Sequence, residues 1–141
     1  MKLHPFHPIS VHAPLACVAF APLADLGAVL SHRAGLWVIG AFMCAGAAVF
    51  GLIAATFGAL DFERAYAKAP RTVGWHASLM VAAVTLDAVS AFGRFGAAFA
   101  ALAPPPNWTV GASAVALGAA VIGGALGGEL VYRHGIGVVK D

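Results

Sequence analysis

Charge is scarce in this chain. Asp, Glu, Lys and Arg make up only 10% of its 141 residues, where a soluble domain carries about 25%, so its surface is poorly matched to water. Basic runs are missing too. Eight basic and six acidic residues leave a net charge of +2, with no cluster that could track nucleic-acid phosphates. Cysteine is limited to Cys17 and Cys44, each inside an apolar stretch. With no C-x-x-C and no C-x-x-C-H, nothing supports thioredoxin-like redox chemistry, covalent c-type haem or a disulfide framework, and both thiols read as small hydrophobes. There is also no G-x-S-x-G, P-loop, H-E-x-x-H or dinucleotide fingerprint, so hydrolase and nucleotide-dependent activities have no support.

What abounds is apolar side chain, 61% of the total. A domain of this size buries only about 60–70% of its surface, so the excess has to face lipid. A bilayer is crossed by about 20 mainly apolar residues, and four stretches qualify: 9–30, 36–60, 72–102 and 108–132. The connectors 31–35, 61–71 and 103–107 are short, the last holding Pro104, Pro105 and Pro106, so neighbouring helices run antiparallel. The expected fold is all-α: one domain over residues 1–141, an up-down-up-down bundle of four transmembrane helices. Lys2 ahead of an apolar run resembles a leader, but the run is too long for a cleaved signal and begins with His-Pro-x-His-Pro.

Lysine and arginine set the expected orientation. The N-terminus, second connector and C-terminus share one side and hold Lys2, Arg64, Lys68, Arg71, Arg133 and Lys140, against Arg33 and Arg94 opposite. Both termini are therefore predicted to be cytoplasmic. Trp37 and Trp108 mark the far interface and Trp75 the near one. Small residues permit close helix packing in lipid: Gly40, Gly46, Gly51 and Gly58 on the second helix, and Ala120, Gly124 and Gly128 at four-residue spacing on the fourth. That stripe offers a homodimer seam or a groove for a flat cofactor.

Six histidines in so apolar a chain are the main anomaly. His4, His7 and His12 stand at or before the start of the first helix, His76 about one turn into the third, and His134 just past the fourth; only His32 is on the other side. At a rise of about 1.5 Å per residue, His12 and His76 reach similar depth on parallel helices. Ionisable groups inside a membrane are expensive and usually functional. Neutral imidazole ligates transition metals and holds haem iron axially. A b-type haem between His12 and His76, or with a second pair from His4, His7 or His134, would find small-residue walls and Lys68, Arg71 and Arg133 for its propionates. The competitor is a Zn, Fe or Cu ion held by His4, His7, His12, His76 and His134 in some combination.

Three carboxylates follow. Asp61, at the end of the second helix, and Glu129 could accept the second ring N–H of a ligating histidine, although Glu129 and Arg133 are also placed for an i,i+4 ion pair. Asp87 lies midway along the third helix, on one stripe with His76 and Arg94. That stripe suits proton carriage, compensation of cofactor charge, or an Asp87–Arg94 interaction.

Two segments carry a family resemblance: His4-Pro5-Phe6-His7-Pro8-Ile9-Ser10-Val11-His12-Ala13-Pro14, and Gly127-Gly128-Glu129-Leu130-Val131-Tyr132-Arg133-His134-Gly135-Ile136-Gly137-Val138. Together with Asp61 after a glycine-spaced helix and His76 after Arg71, they resemble the DUF2231 group of bacterial predicted membrane proteins over essentially the whole chain. Ala13 stands where a bulkier residue is expected. The resemblance implies a four-helix module of the bacterial inner membrane, with relatives joined to Rieske-type or cytochrome domains. By position it implicates His7, His12, Asp61, His76, Glu129, Arg133 and His134. The combined expectation is a haem b electron-transfer module with a redox partner protein, acting as carrier or subunit more than as a complete enzyme. A metal-binding protein or transporter and a structural subunit of a larger complex are the alternatives.

Overall fold

The computed structural model describes residues 6–101 and 103–138, side chains of 96–101 excepted. Lys2, His4 and Lys140 lie outside the described residues. The elements are α1 (Phe6–Ser10), α2 (His12–Ser31), α3 (Gly35–Lys68), α4 (Pro70–Ala101) and α5 (Asn107–Tyr132). Four helices are long and apolar enough to cross a membrane, α1 and α2 counting together as Phe6–Ser31. Their junction at Val11 has a local cause. Pro14 has no N–H to offer the Ser10 carbonyl, while Val11 N still bonds His7 O at 3.2 Å and Leu15 N bonds Val11 O at 3.1 Å.

Helix α3 is longer than the expected 36–60. Its 34 residues span about 50 Å, well beyond the roughly 30 Å hydrocarbon layer. Asp61, Arg64 and Lys68 thus ride on the helix and not in a loop, and Phe62 stacks on Tyr66 at 5.4 Å. No proline or glycine interrupts 59–69. The break comes at Ala69 (φ −145, ψ 67), because Pro70 bars its predecessor from helical backbone while itself suiting a first helical turn.

Helix α2 packs on α3, α3 on α4, α4 on α5, and α5 back on α2, which closes the bundle and leaves α2 and α4 on a diagonal. The interior is made of small side chains: Ala21, Ala41, Cys44, Ala47, Ala83 and Ala116 are buried. Large apolar residues such as Leu30, Leu60 and Phe92 point outward. This inversion of a soluble core follows from the solvent. Lipid gives apolar side chains no reason to hide, so close backbone approach decides what goes inside.

The bundle is one helical hairpin used twice. Position 7 corresponds to 76 and position 54 to 123, an offset of 69 in each case. At that offset, buried Pro14, Val18, Ala21 and Asp25 of α2 fall on buried Ala83, Asp87, Ser90 and Arg94 of α4. Likewise Cys44, Ala47, Gly51 and Ala54 of α3 fall on Ser113, Ala116, Ala120 and Gly123 of α5. Few residues are identical along the match, among them His7 with His76, Ala47 with Ala116 and Gly58 with Gly127. Such parallel repeats are related by an axis along the membrane normal.

Candidate functional site

Two polar sites occupy opposite ends of the bundle. At the end away from the histidines, Arg94 is fully buried and makes a bidentate pair with Asp25, Nη1 to Oδ1 at 2.7 Å and Nη2 to Oδ2 at 2.8 Å. Its Nε donates to Ser90 Oγ at 2.9 Å, and Nη2 also reaches Thr109 O at 3.2 Å and Ser113 Oγ at 3.1 Å. Asp25 and Arg94 are equivalent positions of the two hairpins, so their side chains meet across the α2–α4 diagonal. Helix α3 contributes an opening: a Cβ at Gly40 would lie 2.6 Å from Asp25 Oδ1 and 3.0 Å from Arg94 Nη1. Gly40→Ala is therefore expected to lower stability by about 1–3 kcal/mol, the usual effect of overpacking, measured as an earlier midpoint in detergent unfolding. A midpoint equal to that of the native chain would contradict the crowding.

The Asp87–Arg94 stripe faces the interior as expected, but no Asp87–Arg94 hydrogen bond forms. The guanidinium binds Asp25 instead. Residues seven apart on one helix project in parallel, whereas a two-pronged grip needs a carboxylate facing the fork from another helix. Asp87 is fully buried, and neither of its oxygens has a hydrogen-bond partner among the described residues. Asp25 went unread in the sequence, although an acidic residue inside an apolar span is itself a signal.

At the other end, two histidines sit in matching seats. His7 Nδ1 lies 2.9 Å from Ala54 O, and His76 Nδ1 lies 2.8 Å from Gly123 O; each bond spans 47 residues. A carbonyl oxygen only accepts, so each Nδ1 carries a proton, and in the neutral ring the lone pair is on Nε2. One turn beyond each carbonyl a glycine makes room for the ring: a Cβ at Gly58 would be 3.0 Å from His7, and one at Gly127 3.1 Å from His76.

The remaining candidates are placed differently. His12 is exposed, with Nδ1 3.2 Å from Ile9 O in its own turn, so the expected His12–His76 pairing is not built: the structural counterpart of His76 is His7. The first crossing begins at Phe6 and not at position 9, and equal depth does not decide which face a side chain takes. Main-chain carbonyls, not Asp61 or Glu129, accept from the His7 and His76 rings. Glu129 instead pairs with Arg133 at 3.2 Å and lies 3.7 Å from His134 Nε2. Arg71 is exposed and lines an open groove with Pro70, Gly74, Trp75 and Ser78. The Ala120, Gly124, Gly128 stripe is covered at one end and open at the other. Ala120 is buried, while nothing lies within 4 Å of a Cβ at Gly124 or Gly128.

The segments that carry these seats also fix the lineage. The model of the predicted membrane protein family DUF2231 matches residues 3–140. The chain belongs to this family. No curated protein and no solved structure matches it. The match takes in both histidine seats and the Asp25–Arg94 pair, so the DUF2231 domain comprises the whole bundle.

Proposed function

We propose that the protein is a b-type cytochrome-like electron carrier, or carrier subunit, of the bacterial inner membrane that holds haem through His7 and His76. The observation that carries this reading is the pair of matched seats, in which a main-chain carbonyl fixes Nδ1–H and leaves Nε2 available. Ligating histidines are oriented in this way as a rule. An axial haem site needs one or two imidazoles, whereas an ion site needs three or four ligands. The two matched seats are the number of imidazoles that an axial pair takes.

The chain's own part would be to hold two imidazoles at a fixed tautomer, each in a seat opened by Gly58 or Gly127, and to offer Lys68, Arg71 and Arg133 to the propionates. Haem, when bound, supplies one-electron chemistry. Burial of Arg94 removes it from the far loop, leaving Arg33 alone against the basic residues of the histidine end. That strengthens the reading in which the histidine end faces the cytoplasm.

Protein purified in detergent is expected to show a Soret band that shifts on reduction, with iron equimolar to porphyrin. Colourless protein that takes up no added haem would sink the proposal. Bound metal without porphyrin absorbance would transfer support to an ion site.

A further inference from the structure

The electron-carrier reading leaves one buried ionisable group unused. Asp87 is fully buried in α4, and neither oxygen is hydrogen-bonded by any described residue. The charged and titratable groups around it are Arg94 on its own helix, Cys17 on α2 and Cys44 on α3, with Asp25 of α2 beyond them on Arg94. Arg94 makes no hydrogen bond to it: the guanidinium is held by Asp25, Ser90, Thr109 and Ser113. Asp25 and Arg94 already cancel each other, so an ionised Asp87 would leave an uncompensated negative charge in the bundle interior. A buried group in that position neutralises by binding a proton.

The repeat adds an independent observation. The position equivalent to Asp87 in the first hairpin is Val18, also buried. The same slot is therefore filled by a plain hydrophobe in one half, and packing gives no reason for a carboxyl in the other. Toward the end opposite the histidines the interior stays polar, although no described group there is hydrogen-bonded to the carboxyl. Cys44 Sγ, beside the carboxyl but not in hydrogen-bonding geometry with it, is 3.5 Å from Ser90 Oγ. Ser90 Oγ donates to Thr109 O at 2.8 Å, and Thr109 Oγ1 to Pro106 O at 2.7 Å, at the first turn of α5.

We propose that Asp87 is a proton-binding site in the membrane interior, a neutral carboxylic acid that exchanges its proton with water. The step is a plain acid dissociation: the O–H bond breaks, the pair stays on the carboxylate, and the proton passes to water. No oxidant or reductant takes part.

Infrared spectra of the full chain in detergent test this, comparing native protein with Asp87→Asn. The native chain is expected to show the carbonyl stretch of a protonated carboxylic acid that moves down on exchange into D2O, and Asp87→Asn is expected to lose it. A native spectrum with only ionised carboxylate bands at neutral pH would overturn the proposal. So would an acid band that never shifts in D2O, since a sealed acid exchanges nothing. Loss of the band on adding sodium would make this a cation site, again overturning it. Asp87→Val, which copies the first hairpin, is expected to fold as the native chain does; failure to fold would assign the carboxyl a packing role instead. None of these readings depends on whether haem binds.

Discussion

Arg94→Met is expected to destabilise the bundle by about 3–5 kcal/mol, the loss found when one partner of a buried ion pair is removed. The loss comes from what stays behind. Asp25 keeps a carboxylate only 2% exposed with its two-pronged partner gone, and Ser113 loses a donor that helped join α4 to α5. The double change Asp25→Leu with Arg94→Met is expected to recover most of that loss, because apolar side chains of similar volume commonly replace a buried pair without penalty. Reversible unfolding in mixed micelles measures both. A single change that leaves the midpoint in place would show that the pair does not hold the bundle.

The second large effect concerns haem. His7→Ala and His76→Ala are each expected to remove most of the Soret absorbance per polypeptide, while His12→Ala leaves it unchanged. The prediction separates the matched seats from the exposed ring of His12, which bonds within its own turn. Gly127→Val is expected to weaken haem binding by about 10–100-fold, the range for disturbing a group that orients a ligand, since a Cβ there would press on the His76 ring at 3.1 Å. Equal loss in His12→Ala, or full retention in His76→Ala, would remove this pair from the site. Titration of the purified variants with haem provides the measurement.

The crossings and the histidine end were legible in the sequence because both depend on what accumulates along it. Apolar runs mark spans whatever their partners, and four helices long and apolar enough to cross stand among the described residues. The charged tail of α3 was harder. Asp61 to Lys68 reads as a connector by composition, yet a helix continuing into water keeps its hydrogen-bond ladder and stops only where Pro70 forces it to. The Asp25–Arg94 pair was hidden for another reason. Its partners lie on different hairpins, 69 positions apart, and no local spacing connects them. Only the repeat makes them correspond, and the repeat is faint because burial, not identity, is what the two halves share. The same faintness obscured His7 as the match of His76. Its ring bonds a carbonyl that becomes a neighbour only once α3 has folded back on the first crossing.

The doubled hairpin has a consequence for how specialisation could arise. At the histidine end the two copies stay alike, with ring, carbonyl and glycine in both. At the other end they have become opposites, an aspartate facing an arginine. Two identical free hairpins could make the first arrangement but never the second, since self-pairing would set acid against acid or base against base. Joining both copies in one chain frees the far end from the equality that the near end retains, so that one molecule carries twins at one pole and complements at the other.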